Sequence, residues 1–156
     1  MEKWLNGLAV LAVSVWAGGM WATGYLAVPV LFHALPDRML AGMLAGQMFA
    51  VMAHVGMACA LYLLAYGYWQ AGRKMFADKI SRVVVLMLLL TLLGQFGLQP
   101  MMEELKALAA PLDVMRSEFA PRFKMLHGAV SIMYLLQSLL AVVLVLKFTA
   151  RGGRIS

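Results

Sequence analysis

Arg38 and Arg73 are separated by 34 residues that include no Lys, Arg, Asp or Glu. Trp4–Phe32, Val83–Met102 and Met125–Leu146 are equally free of these charges. Each run meets or exceeds the ~20 residues that carry a helix across a hydrocarbon core of ~30 Å. The chain is therefore expected to be all-α. It reads as an integral membrane four-helix bundle with spans at about 4–32, 45–70, 82–102 and 122–147. Any function then belongs inside the bilayer or at its two surfaces.

Composition agrees with this reading. Apolar residues make up 63% of the chain and charged ones 13%, against roughly 45–50% and 25% in soluble domains. Residues 1–156 hold four spans and short connections, so a single domain is expected. The net charge of +6 sits beside the apolar runs and forms no basic patch with interleaved aromatics, which argues against a nucleic-acid partner. Cys59 is the sole cysteine, so an internal disulfide is excluded. Lys3 ahead of Leu8–Ala17 imitates a signal peptide, yet the uncharged run continues to Phe32. That exceeds a signal core of roughly 7–15 residues, and an uncleaved first span is expected.

Charge sets the predicted orientation. Four spans place the N-terminus, the turn at 72–82 and the C-terminus on one side. That side carries Lys3, Arg73, Lys74, Lys79, Arg82, Lys147, Arg151 and Arg154 against only Glu2 and Asp78. On the other side Arg38, Lys106, Arg116, Arg122 and Lys124 are matched by Asp37, Glu103, Glu104, Asp113 and Glu118. Lys and Arg favour cytoplasmic loops, so both termini are expected in the cytoplasm and the protein in the cytoplasmic (inner) membrane. Tyr66, Tyr68 and Trp69 suit an aromatic belt at the inner surface. Between the third and fourth spans Leu105, Leu108, Leu112, Met115 and Phe119 recur at helical steps, predicting a short interfacial helix interrupted near Pro111. Pro121 fits the first turn of the last span.

Small and polar residues indicate which faces should turn inward. Gly42, Gly46, Ala53, Gly56 and Ala60 share one sector of the second helix. Gly7, Ser14, Gly18, Trp21 and Tyr25 share a face of the first, which Pro29 weakens near its end. His127, Ser131, Tyr134 and Ser138 form a stripe on the fourth, and the third carries Thr91, Gln95 and Gln99. Polar side chains facing lipid are costly, so both polar sets are expected to look into the bundle. Hydrogen bonds that join helices explain such residues without any ligand.

The three histidines invite a sharper reading. Helical rise places His54 roughly 8 Å, and His127 roughly 3 Å, below the outer surface, where His33 ends the first span. Imidazoles at one level beneath Arg122 and Lys124 suit a b-type haem, with histidine as axial ligand and cations on the propionates. The same set suits a soft metal such as Cu(I), using histidine and methionine. Copper is the weaker case, because Met39, Met43 and Met57 share a face while Met48 and Met52 point away. Against either cofactor stands the plain role of a membrane histidine as a hydrogen-bond partner. No acidic residue lies within a span, and no phosphate loop, HExxH or nucleophile elbow appears, so no catalytic residue is assigned.

Trp16-Ala-Gly-Gly-Met-Trp-Ala-Thr-Gly-Tyr25 with Pro29-Val-Leu-Phe32 resembles the first span of the transmembrane protein 205-like family, a domain of unknown function. Asp37-Arg-Met-Leu-Ala-Gly42 with Gln47-Met-Phe49 is similar to its loop and second span. Gln99-Pro-Met101 and Phe123-Lys-Met-Leu-His-Gly128, with Ser131 and Tyr134, resemble its later part. The resemblance implies four spans and no established reaction. It extends distantly to copper-resistance protein D and the HemJ-type protoporphyrinogen oxidase, which implies metal or porphyrin chemistry. By that likeness His127 is the first candidate ligand, for haem or a metal.

The leading expectation is a haem or porphyrin between the second and fourth spans, serving electron transfer or porphyrin handling. His127 is the main ligand, His54 or His33 the second, Arg122 and Lys124 the propionate partners, and Tyr134 lines the site. The alternatives are a non-catalytic scaffold or accessory subunit, in a homo-oligomer or larger membrane complex, and a transporter of metal or small molecules. Tags on the two termini should report from the same, cytoplasmic, compartment; opposite compartments would contradict four spans.

Overall fold

The computed structural model describes residues 2–152, with side chains through Ala150. Arg154 and the Arg151 side chain, assigned above to the inner surface, lie outside that description. Among the described residues six α-helices predominate: α1 Glu2–Trp21, α2 Val28–Ala34, α3 Arg38–Ala71, α4 Lys79–Leu92, α5 Gln99–Ala109 and α6 Ala120–Gly152. π-Helical stretches at Ala22–Ala27 and Leu93–Leu98 join α1 to α2 and α4 to α5. Four helices long and apolar enough to cross a membrane result: Glu2–Ala34, Arg38–Ala77, Lys79–Ala109 and Ala120–Ala150. This is a multi-pass, all-α membrane fold.

The second span begins at Arg38 rather than near 45 because a side chain starts it. The Asp37 carboxylate accepts from the backbone N–H groups of Met39 (2.8 Å) and Leu40 (3.2 Å), satisfying donors that a helix start leaves open. At ~1.5 Å per residue α3 is ~51 Å long, so it tilts within a ~30 Å core or projects beyond it. In the connection between the last two spans, the helical element is the single 3-10 turn Val114–Arg116. Leu105 and Leu108 belong to α5, which continues the third span. The apolar edge predicted here divides: Leu105 is buried with Met102, Ala109, Val114 and Leu126, whereas Leu108, Leu112 and Met115 are exposed. Pro121 lies in the first turn of α6, as expected.

The spans stand at the corners of a square in chain order. α1 packs beside α3 and α6, and α4 beside the same two, leaving α1 diagonal to α4 and α3 diagonal to α6. One core joins all four: Ala9, Val13, Trp16, Ala17 and Met20 meet Ala60, Leu63, Val84, Met87, Ala141 and Leu144. Of the face expected to turn inward on the first span, Trp21 and Tyr25 do meet the fourth span, but along most of α1 the opposite face is buried. Gly7, Ser14 and Gly18 are exposed. The buried face combines large Trp16 and Met20 with small Ala9 and Ala17. Close approach occurs on α3 instead, where a Cβ on Gly56 would lie 2.5 Å from the Trp16 indole nitrogen.

That contact makes a direct prediction. Gly56→Ala should destabilise the fold by about 1–3 kcal/mol through overpacking. Gly7→Ala, with nothing within 4 Å of the new atom, should be neutral or gain up to about 1 kcal/mol of helix propensity. Equilibrium unfolding in mixed micelles measures both, and equal effects would contradict the packing described.

Candidate functional site

Pro29 and Pro100 govern the end of the bundle remote from the termini. Proline lacks an N–H and its ring crowds the carbonyl four residues earlier. Each proline here follows a six-residue π-helical stretch by the same offset, in spans that lie diagonally opposite. An extra residue per turn gives the ring room and redirects the helix. Beyond the two breaks α2 stays on α3 and α5 on α6, but α2 has no sustained backbone approach to α6, nor α5 to α3. The square is thus closed near the termini and parted into two helical hairpins at the far end.

Tyr134 of α6 fills the parting against the first span. Its hydroxyl donates to the Met20 carbonyl, at the lip of the π-helical stretch. The Gly24 amide faces the same oxygen, and a Cβ on Gly24 would overlap the phenol ring. Edge-on contacts to Tyr25 (6.2 Å) and Phe49 (5.1 Å) hold the ring on two further sides. The Tyr25 hydroxyl donates to Ser138 Oγ (2.9 Å), which in turn donates to the Tyr134 carbonyl (2.9 Å). Trp21 Nε1 donates to the Ser138 carbonyl (3.4 Å). The polar stripe of the fourth span therefore turns inward only in part. Tyr134 and Ser138 form this seam, while Ser131 and His127 are exposed because α2 has leaned away. Ser131 instead donates to the His127 carbonyl of its own helix (2.8 Å).

All three imidazoles are exposed. His33 ends α2. His54 Nδ1 lies 2.7 Å from the Ala50 carbonyl; since a carbonyl only accepts, Nδ1 carries the proton and Nε2 the lone pair. His127 stacks on Phe123 (5.9 Å, 11°), over which Lys106 Nζ sits at 5.9 Å. Lys106 also pairs with Glu103 (2.8 Å). Arg122 and Lys124 are exposed in the opening turns of α6. His54 and His127 stand on diagonal helices. Among the described residues no three His, Cys, Asp or Glu side chains gather as a metal-holding group.

Several residues of this end escape sequence reasoning. Gly24, Met20 and Phe49 matter because a helix break brings them to Tyr134, and only the spacing of Gly24 and Tyr25 ahead of Pro29 hints at it. Lys106 reaches Phe123 and His127 because α5 prolongs the third span.

The chain matches no curated protein and no solved structure. The model of one family, described as a domain of unknown function (DUF4149), matches residues 11–111, from within α1 to just past the end of α5. That stretch covers both proline breaks and more than half of the 156 residues, and the protein belongs to the DUF4149 family.

Proposed function

We propose that this protein is a non-catalytic membrane scaffold that works through lateral contact, its partner being a second copy packed along α3. One observation carries the reading. Gln47, Val51, His54, Ala58, Leu61, Ala65 and Tyr68 recur at alternating steps of four and three, and all are exposed. Gln47 opens the stripe and His54 lies within it, on a surface otherwise fit for lipid. The Gln47 amide has no partner among the described residues, and His54 spends one ring nitrogen on Ala50. Such groups are costly against hydrocarbon. Every copy inserts with the same topology, so a two-fold axis along the membrane normal sets equivalent positions face to face. Glutamine both donates and accepts, so Gln47 pairs with its equivalent across that axis, whereas His54, its Nδ1–H held by Ala50, offers only the Nε2 lone pair and needs a donor from the partner.

The test is dimer affinity by energy transfer between labelled copies in lipid vesicles. Each interhelical hydrogen bond is worth ~0.6 kcal/mol, roughly a threefold change. Two facing Gln47 amides make two such bonds, so Gln47→Leu should weaken association by roughly an order of magnitude. Monomers at every protein-to-lipid ratio, or a dimer indifferent to Gln47→Leu, would refute the proposal.

His54 favours a second reading. Its Nδ1–H is held by a backbone carbonyl, the orientation that presents Nε2 to iron or another metal. A b-type haem bound there would lie on the outward face of α3, ligated by His54 of one or both copies. His127, stacked on Phe123 beside Lys106, is the other candidate ligand. Haem added to purified protein should give a Soret band that His54→Ala or His127→Ala removes. Absence of the band, or its survival in both variants, excludes this reading.

A further inference from the structure

We infer that the groove beside Arg82 binds a phospholipid with an anionic headgroup. The groove, of about 190 Å³, is lined by Phe76, Ser81, Arg82, Val85, Leu86 and Leu89. Arg82, Val85, Leu86 and Leu89 fall on one face of α4, so the groove runs ~10 Å along the helix from a cation into purely apolar lining. A charged head above a hydrocarbon floor is the outline of an amphiphile. Ser81 is buried and its hydroxyl faces the Gly67 backbone of α3, leaving Arg82 as the group that meets a head.

Charge selects the kind of lipid. The turn before α4 contains Arg73 and Lys74, and with Lys79 and Arg82 of α4 itself these four cations are set against one carboxylate, Asp78. A guanidinium binds phosphate through two parallel hydrogen bonds, which fixes both position and orientation. A second groove provides the contrast: Leu5, Tyr62, Ala65, Tyr66 and Trp69 line about 260 Å³ with no charged residue. It is the larger of the two but offers nothing to distinguish one headgroup from another. Clusters of basic residues at the end of a membrane helix attract anionic lipids in general. The Arg82 groove adds a place for the acyl chain.

The experiment is native mass spectrometry of the intact protein released from micelles containing phosphatidylglycerol, phosphatidylcholine or inorganic phosphate. Phosphatidylglycerol should be retained in preference to phosphatidylcholine, and inorganic phosphate should neither bind nor displace it. Arg82→Gln should reduce retention about five- to tenfold, as should Leu86→Trp, which fills the groove; Arg82→Lys should fall between. Lys74→Gln, which lowers the shared attraction without touching the groove, should cost clearly less than Arg82→Gln. Equal retention of both lipids, displacement by phosphate alone, or equal losses in Lys74→Gln and Arg82→Gln would overturn the inference, the last by revealing diffuse attraction.

Discussion

Backbone hydrogen bonding in the absence of water is the constraint on which this structure rests. In hydrocarbon every peptide N–H and C=O must find a partner within the protein. Four helices answer that demand along most of their length. Pro29 and Pro100 interrupt it, and each interruption is absorbed by a π-helical stretch. Tyr134 then donates to the Met20 carbonyl beside the first break, so a side chain from the fourth span completes the backbone of the first. Gly24 is required there because the phenol ring occupies the space of a Cβ.

The division of the bundle follows from those breaks. Near the termini one core unites four spans, with Trp16 seated on Gly56 and Tyr62 donating to the Leu5 carbonyl (2.9 Å). At the far end the halves diverge, and a separate cluster of Met102, Leu105, Ala109, Val114 and Leu126 serves only the second half. Polar residues divide in the same way. Thr91, which donates to Met87 and Gln137, and Ser138 are satisfied within the bundle. Gln47 and His54 look outward, and their discomfort in lipid underlies the lateral contact proposed for α3. Both halves of that argument depend on the same rule, that polar groups seek partners where water is absent.

Much of the fold was legible in the sequence, because uncharged runs longer than a bilayer is thick leave few alternatives. Span number and the role of Pro121 both follow from residue patterns. The start of α3 did not, since hydropathy is blind to the Asp37 cap. The inward face of α1 was misread for a different reason. Small residues mark close helix contacts, yet α1 turns Ala9, Val13, Trp16, Ala17 and Met20 inward, and Gly7, Ser14 and Gly18 were left outside. The stripe His127, Ser131, Tyr134, Ser138 lies on one side of its helix, as periodicity indicates. Periodicity could not show that the neighbouring helix turns away halfway along it. The two π-helical stretches have no repeating residue pattern, so the matched breaks became visible only in three dimensions.

The central claim is that the bundle is closed at the terminal end and parted at the other. Pulsed dipolar spectroscopy on spin labels in lipid nanodiscs tests it, comparing Leu11 with Val143 near the termini and Val30 with Met125 at the far end. The account predicts a clearly longer distance for the second pair, shortening when Pro29→Ala restores a regular helix. Equal distances at the two levels, unchanged by that substitution, would contradict it.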